Sequence, residues 1–391
     1  MTTRLLTLSN LYPNAMQPGL GQFVETRLNQ LLRDRDYEAR VIAPVPWFPV
    51  KASMFGEYGV FAGVPKSEVR NDVPVQHPRY LHFPKVGMHT APILMGRSAI
   101  QVAHAMARDG FTPDLVDAHY FYPDGVAAAR LAAKLDKPLM ITARGSDINL
   151  ITQFPRPLRL MREAAAQSAA IVAVSSALAN RMSDLGFGAD KIHVVRNGVD
   201  LDFFTPASRI EARASLQVSG RVLLSVGNLV ELKGHHLIID AVSKLPDTTL
   251  LIAGSGIMQS DLEAQIARLG LDDRVRLVGQ RTREELRTLY AAADMLVLAS
   301  SREGLANVLL EAIASGLPVV ATNVGGNGEV VCDPRAGVLA DERSPEALIR
   351  SIQHISDHGP SREETRKFAY KFGWNDACHT LHGLIQRIIS H

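Results

Sequence analysis

Short apolar runs rich in leucine and β-branched residues alternate along this chain with stretches whose apolar positions repeat every 3.6 residues. In the first half the strand-like runs are Arg4–Leu8, Ala39–Ala43, Leu115–Ala118, Pro138–Thr142, Ala170–Val174 and Ile192–Val195, with helical spacing over Asp124–Leu135 and Ser176–Leu185. After Asn197-Gly198-Val199-Asp200 the pattern restarts. Strands are predicted at Val222–Val226, Thr249–Ala253, Arg274–Val278, Met295–Leu298 and Pro318–Ala321, and helices at His235–Lys244, Gln259–Leu269, Arg283–Ala292 and Ala306–Ala314. Nearly continuous apolar strands joined by helices predict parallel sheets covered on both faces. The fold class is therefore α/β, with two facing doubly wound domains. Ligands of such sheets sit beyond the carboxyl ends of the strands, which predicts a cleft between the domains.

The 391 residues suit two domains. The predicted boundaries are 1–200, joined by a closing amphipathic helix over 374–391, and 201–373, with Asn197–Pro206 as the hinge. Residues 44–97 hold eight prolines and read as an irregular insertion in which only Arg79–Lys85 is strand-like. No internal repeat or low-complexity tract is visible.

Composition narrows the classes further. Apolar residues make up 46% and charged residues 21%, which excludes a disordered chain. Cys332 and Cys378 are too few for a disulfide scaffold and suggest a reducing compartment. No run of 18 apolar residues occurs, and the first ten residues read as a strand rather than a secretory leader, so a soluble, cytoplasmic protein is expected. The net charge of +2 argues against nucleic acid as a partner.

The most informative stretch runs from Ser300 to Ala312. It leaves an apolar strand, passes Glu303-Gly304 and opens a helix in which Glu311 lies about a turn and a half inside. Amides at a helix start, aided by its dipole, form an anion site suited to a diphosphate. Carboxylates only accept hydrogen bonds, so beside such a site their natural partners are sugar hydroxyls. The same spacing also fits a plain strand–helix junction with one capping acid and one solvated acid. Gly227-Asn228 ends another strand, and Lys233-Gly234 opens the next helix, offering a cation to phosphate oxygens. It is not a P-loop, because Gly-x-x-x-x-Gly-Lys-Ser/Thr is absent. Ala253-Gly254-Ser255-Gly256 reads better as a tight turn, because Gln259 stands where a dinucleotide fingerprint needs its third glycine.

In the first half, Gly19, Gly21 and Gln22 lie between the first strand and the first helix, where a glycine-rich loop lets a ligand approach the backbone. His119 and Arg144-Gly145-Ser146-Asp147 follow strands on the expected ligand side, although a lone histidine or an Arg–Asp pair is more often structural. Asp34-Arg35-Asp36 and Asp200-Leu201-Asp202 satisfy Asp-x-Asp, but one sits on a charged helix end and the other in the hinge. No metal site is expected, and no nucleophile elbow or Cys/His dyad occurs.

Taken in order and at these spacings, the residues resemble a family-4 glycosyltransferase of the GT-B fold, which consists of two facing Rossmann-like domains. The resemblance runs nearly end to end. It is carried by Glu303 and Glu311, Gly227 with Lys233-Gly234, Val195 to Asp200, Ala253 to Gly256, Tyr290-Ala291-Ala292-Ala293-Asp294, and Gly316 to Ala321 followed by Gly325-Gly326. It implies a nucleotide-diphosphate sugar held by the C-terminal domain, and a glycan or polyprenyl-diphosphate-linked acceptor held by the N-terminal one. It also implies transfer with retention and no essential metal or other cofactor. Carried over residue by residue, Glu311 takes the ribose hydroxyls and Glu303 those of the transferred sugar. Lys233 and the Leu305, Ala306, Asn307 and Val308 amides after Gly304 neutralise the diphosphate, while Gly279-Gln280-Arg281 meets the base. Two departures stand out. The family often has His-Gly-x-Asp where this chain has Arg144 to Asp147, and arginine where it has Asn228. Arg144, or failing that Arg302, is expected to supply the missing cation.

Two rivals stay open at this level. One is a sugar-nucleotide epimerase of the same fold, for which only His119 is placed as the acid or base. The other is a catalytically silent binding subunit of a polysaccharide assembly complex. The stretch Arg79–His89 interleaves basic and apolar residues, as peripheral contact at the inner face of the cell membrane would require, but reads better as a loop packed on its own sheet.

Overall fold

The computed structural model describes residues 2–33, 35–49, 57–82 and 87–390. Its contacts divide the chain into an N-terminal unit, 1–196 with 377–391, and a C-terminal unit, 197–376. Each unit is built on its own sheet.

The N-terminal unit contains strands β1 (Thr3–Leu8), β2 (Tyr37–Ile42), β3 (Val45–Pro46), β4 (Ser67–Arg70), β5 (Val73–Gln76), β6 (Arg79–Tyr80), β7 (Leu115–His119), β8 (Leu139–Ala143), β9 (Ala170–Ala173) and β10 (Ile192–Val194). Its helices are α1 (Gln22–Leu32), α2 (Glu57–Gly63), α3 (Gly87–Arg108), α4 (Val126–Leu135), α5 (Ser146–Asn149), α6 (Pro155–Gln167) and α7 (Ser176–Asp184). Eight strands form one sheet in the order β10-β9-β8-β7-β1-β2-β5-β4, parallel except for the β4–β5 hairpin, while β3 and β6 pair separately. β7 and β8 are buried along their whole length, and Asp117, His119 and Thr142 are the polar residues they take into the interior.

The C-terminal unit holds β11 (Arg221–Val226), β12 (Thr248–Ala253), β13 (Val275–Gly279), β14 (Met295–Leu298), β15 (Val319–Thr322) and β16 (Gly337–Ala340). Its helices are α8 (Arg209–Leu216), α9 (His235–Ser243), α10 (Gln259–Arg268), α11 (Arg283–Ala292), α12 (Asn307–Ala314), α13 (Asn327–Val330), α14 (Pro345–His358) and α15 (Arg362–Ala369). The sheet is wholly parallel, in the order β13-β12-β11-β14-β15-β16. That is the doubly wound Rossmann order, and its direction reverses between β11 and β14. The core consists of inward residues such as Leu223, Ile252, Val297 and Val320 against Ile238, Val242, Leu348 and Ile352.

α16 (Trp374–Ile389) starts in the C-terminal unit and packs Leu381, Leu384 and Ile385 into the N-terminal core, beside Leu5, Leu28 and Val41. No helix among the described residues is long and apolar enough to cross a membrane.

One expectation needs correction. The stretch 44–97 is not an irregular insertion. β4 and β5 form a hairpin through Asn71-Asp72, both with positive φ, and β5 extends the main sheet beside β2. α3 then begins at Gly87, inside the stretch expected to lack helix. Pro92 masks that helix in the sequence, because proline cannot donate to the carbonyl four residues back. Met88, whose carbonyl is freed in this way, accepts the Tyr122 hydroxyl instead. Of the expected strand Arg79–Lys85, Arg79–Tyr80 forms β6. Phe83–Val86, in the stretch read for membrane contact, and Asp34 of the first Asp-x-Asp lie outside the described residues.

Candidate functional site

In the C-terminal unit the order reversal brings the loop after β11 next to the loop after β14. The first carries Gly227-Asn228 and a single 3-10 turn, Glu231–Lys233. His235 secures its start: Ser225 donates to Nδ1 at 3.0 Å, and Nε2 donates to the Asn228 carbonyl at 3.3 Å. Burial pushes the imidazole down to about 4, so it stays neutral. The Gly254–Gly256 turn lies alongside, with Leu229 N donating to Ser255 O, as a plain turn would. Gly234 ends the 3-10 turn at φ 69°, and a Cβ there would lie 2.1 Å from the Ala299 carbonyl oxygen. Only glycine lets this turn lie against the end of β14.

That close approach sets the central contact. Lys233 Nζ reaches Glu303 Oε1 at 2.6 Å, and Ser300 Oγ donates to the same oxygen at 2.7 Å. The Glu303 loop is fixed from several sides. Ser301 N donates to Leu232 O, Gly326 N to Gly304 O, Thr322 Oγ1 to Ser300 O, and Arg343 Nε to Ala299 O. Behind the loop α12 opens at Ala306, whose side chain caps none of the first-turn amides. Asn307 is anchored by Asn197, whose Nδ2 donates to Asn307 Oδ1 at 2.8 Å. The expected hinge residue thus acts within the C-terminal unit as a support for the helix start.

Glu311 lies in the second turn of α12 and accepts the hydroxyl of the buried Tyr290 at 2.8 Å. Desolvation raises its carboxyl to about 7, against a smaller opposing pull from the Tyr290 hydrogen bond. Gly279, Gln280 and Arg281 are exposed at the end of β13, two strands from β11, and Arg281 pairs with Glu285 at 2.8 Å. Arg302 is exposed. The structure therefore gathers Lys233, Glu303, Gly304 and the start of α12 at the sheet's reversal point.

In the N-terminal unit the corresponding reversal lies between β1 and β7, where Ser9 Oγ donates to His119 O. His119 Nε2 meets Asp117 Oδ2 at 2.9 Å, and Nδ1 meets an Arg144 Nη at 2.6 Å. A guanidinium can only donate, so Nδ1 is the unprotonated nitrogen and the proton sits on Nε2, toward Asp117. Burial holds this imidazole at about 4. The Arg144 guanidinium also lies 4.9 Å from the Phe23 ring centroid. Both ring nitrogens of His119, a candidate catalytic residue, are thus engaged, one by Asp117 and one by Arg144.

Asp147 bonds the backbone of both loops. Its buried carboxylate accepts the backbone amides of Phe121, Arg144, Gly145 and Ile148, tying the loop after β8 to the loop after β7. The first loop folds on itself. A Cβ at Gly21 would lie 2.0 Å from Leu11 O, and Gln22 Nε2 donates to Pro18 O. Gly19 is exposed in the same turn. Asp200 caps the amides of Asp202 and Phe203. Among the described residues no group of three or more His, Cys, Asp and Glu side chains is placed to hold a metal.

Sequence reasoning missed Ser300, Tyr290 and Asp117 as partners. Only Asp117 was recoverable, since residues i and i+2 of a strand share a face and Asp117 stands two before His119.

The family described as Glycosyltransferase Family 4 matches residues 19–203, and that described as Glycosyl transferases group 1 matches 208–372. A protein named as a teichuronic acid biosynthesis glycosyltransferase of Bacillus subtilis is 28% identical over 89% of this chain and 88% of its own length. Among solved structures, a sucrose-phosphate synthase from Thermosynechococcus elongatus superposes with a TM-score of 0.80 at 17% identity, covering 99% of each chain. The Anabaena protein HepE, in a complex with UDP and glucose, superposes with a TM-score of 0.75 at 21% identity over 99% of this chain and all of its own.

Proposed function

The chain belongs to the family-4 glycosyltransferases of the GT-B fold, enzymes of glycan or glycolipid synthesis, and from that premise we propose a donor, a mechanism and a role for each residue. The donor is a nucleotide-diphosphate sugar. Its diphosphate binds at the start of α12, against the Leu305 to Val308 amides and Lys233. Its ribose hydroxyls bind Glu311, and the hydroxyls of the transferred sugar bind Glu303. The observation that carries this reading is the Lys233–Glu303–Ser300 contact, set at the reversal point beside an uncapped helix start. One cation and a row of amides face phosphate oxygens there, and a carboxylate stands ready for hydroxyls. The exposed Gly279-Gln280-Arg281 loop remains our candidate for the base.

The reaction breaks the bond between the anomeric carbon and the diphosphate, leaving negative charge on the departing oxygen and an oxocarbenium-like sugar. Lys233 and the α12 amides are fixed before the reaction, so they stabilise that charge without reorganising. The acceptor hydroxyl attacks the face the leaving group vacates, and its proton passes to a departing phosphate oxygen. The configuration is retained and no metal is required. The acceptor is a hydroxyl of a glycan or a lipid-linked glycan, and the name of the teichuronic acid relative supports a cell-envelope polysaccharide. In the N-terminal unit, Arg144 is the cation offered to the substrate, with His119 supporting it. The engagement of both His119 ring nitrogens supports transfer over epimerisation.

A thermal-shift panel of UDP-, GDP-, ADP- and dTDP-sugars tests the donor class. A ligand at 100 times its dissociation constant adds about 2.7 kcal/mol to stability. Transfer from the stabilising, radiolabelled donor should persist in EDTA. Epimerisation without transfer, or no turnover of any donor, would defeat the reading.

The raised Glu311 carboxyl gives a second expectation. Ribose hydroxyls donate best to the ionised carboxylate, so binding of a nucleotide sugar releases a proton and tightens as pH rises through about 7. Calorimetry in buffers of different ionisation enthalpy should show that release. Removing the Tyr290 hydroxyl in Tyr290→Phe should move the midpoint upward. Affinity that is flat between pH 6 and 8 in both proteins would remove Glu311 from the ribose.

A further inference from the structure

Arg144 is the substrate-facing cation of the N-terminal unit in the reading above, and the present inference rests on that reading. Its guanidinium is reached by a chain of two buried side chains. Asp117 Oδ2 holds Nε2–H of His119 at 2.9 Å, and the opposite ring nitrogen takes an Arg144 N–H at 2.6 Å. Asp117 and His119 lie on one face of β7, buried to 3% and 1% exposure. Neither can swing away without breaking the sheet's packing. A second guanidinium, Arg27, is buried to 3% and acts electrostatically on both Asp117 and Arg144. Two like charges in one buried region repel, and Asp117 supplies a negative charge toward both.

We propose that Asp117 is a positioning residue for catalysis: through the Nε2–H tautomer of His119 it holds the Arg144 guanidinium beyond the carboxyl ends of β7 and β8. A neutral imidazole is the right linker. It accepts from the guanidinium on one side and donates to the carboxylate on the other, a polarity that no other uncharged side chain of that shape offers.

Two measurements test the proposal. The first needs no variant: long-range proton–nitrogen spectra of 15N-histidine-labelled protein should show His119 neutral with its proton on Nε2 between pH 5.5 and 8. A proton on Nδ1, or a cationic ring, would overturn the proposal. The second is a double-mutant cycle on turnover. Asp117→Asn should lower kcat about tenfold, the scale of one charge-assisted hydrogen bond, with KM for the donor little changed. In an Arg144→Ala background the same substitution should change kcat less than about twofold, because the group it positions is already gone. Equal losses in both backgrounds would make Asp117 merely structural and overturn the proposal while leaving Arg144's role intact. Full activity of Arg144→Ala would overturn the proposal together with the assigned role of Arg144.

Discussion

Replacing Lys233 with alanine should lower the rate of transfer by about two to three orders of magnitude, the effect seen when one preorganised donor to a developing charge is removed. Two losses combine. The departing diphosphate loses its nearest cation, and Glu303 loses the ammonium that meets Oε1 at 2.6 Å, leaving Ser300 as its remaining partner there. The pair is mostly shielded from solvent, at 19% and 11% side-chain exposure, so solvent screening softens the loss only in part. The contact strengthens as charge develops, so kcat should fall more than KM rises. Nucleotide affinity should weaken about tenfold or more. Single-turnover rates with a radiolabelled donor separate the two terms. A kcat within a factor of three of the parent would show that the lysine faces no leaving group.

Gly325→Ala should damage both folding and activity. Gly325 has φ 53°, and a Cβ there would lie 1.9 Å from the carbonyl oxygen of Glu303 and 2.8 Å from its carbonyl carbon. The left-handed backbone costs about 1 kcal/mol for alanine, and the enforced overlap adds about 1–3 kcal/mol. To relieve the overlap the Glu303 loop must shift, and a displacement of about 1 Å at a reacting group costs about a hundredfold in rate. Gly270 provides the matched control. Its φ is 64°, yet nothing lies within 4 Å of an added Cβ. Gly270→Ala should therefore lose about 1 kcal/mol and keep its activity. Denaturant melts and turnover of the two variants isolate the contact with Glu303. Equal destabilisation with full activity in both would show that the Gly325-Gly326 pair does not set the Glu303 loop.

The doubly wound character of both units was legible because buried parallel strands cannot alternate: β8, β11 and β14 read as largely apolar runs, and their helices as 3.6-residue stripes. Lys233, Glu303 and Glu311 were legible because strand–turn–helix junctions are local, so neighbours in sequence fix which group stands at a strand end. What brings Lys233 onto Glu303 is the order of strands in the sheet, and 70 residues separate the two. Tyr290 was hidden from Glu311 for the same reason, since no local period encodes how α11 packs beside α12. Asn197 read as a hinge because its surroundings look like a turn, whereas its amide works as a support under α12. The stretch 44–97 failed differently. Pro92 and Pro74 imitate irregular chain, and their compensations, the Tyr122 hydroxyl on Met88 O and a hairpin against β2, come from elsewhere in the fold. His119 looked like a lone histidine, and only the position of Arg144 shows its second nitrogen occupied.

A crystal structure with an intact, non-transferable nucleotide sugar bears most directly on the whole account. The account predicts diphosphate oxygens within hydrogen-bonding distance of Lys233 and the first amides of α12, the ribose diol on Glu311, and a hydroxyl of the sugar on Glu303. A nucleotide bound away from the junction of β14 and α12, with Lys233 still closed on Glu303 alone, would contradict it.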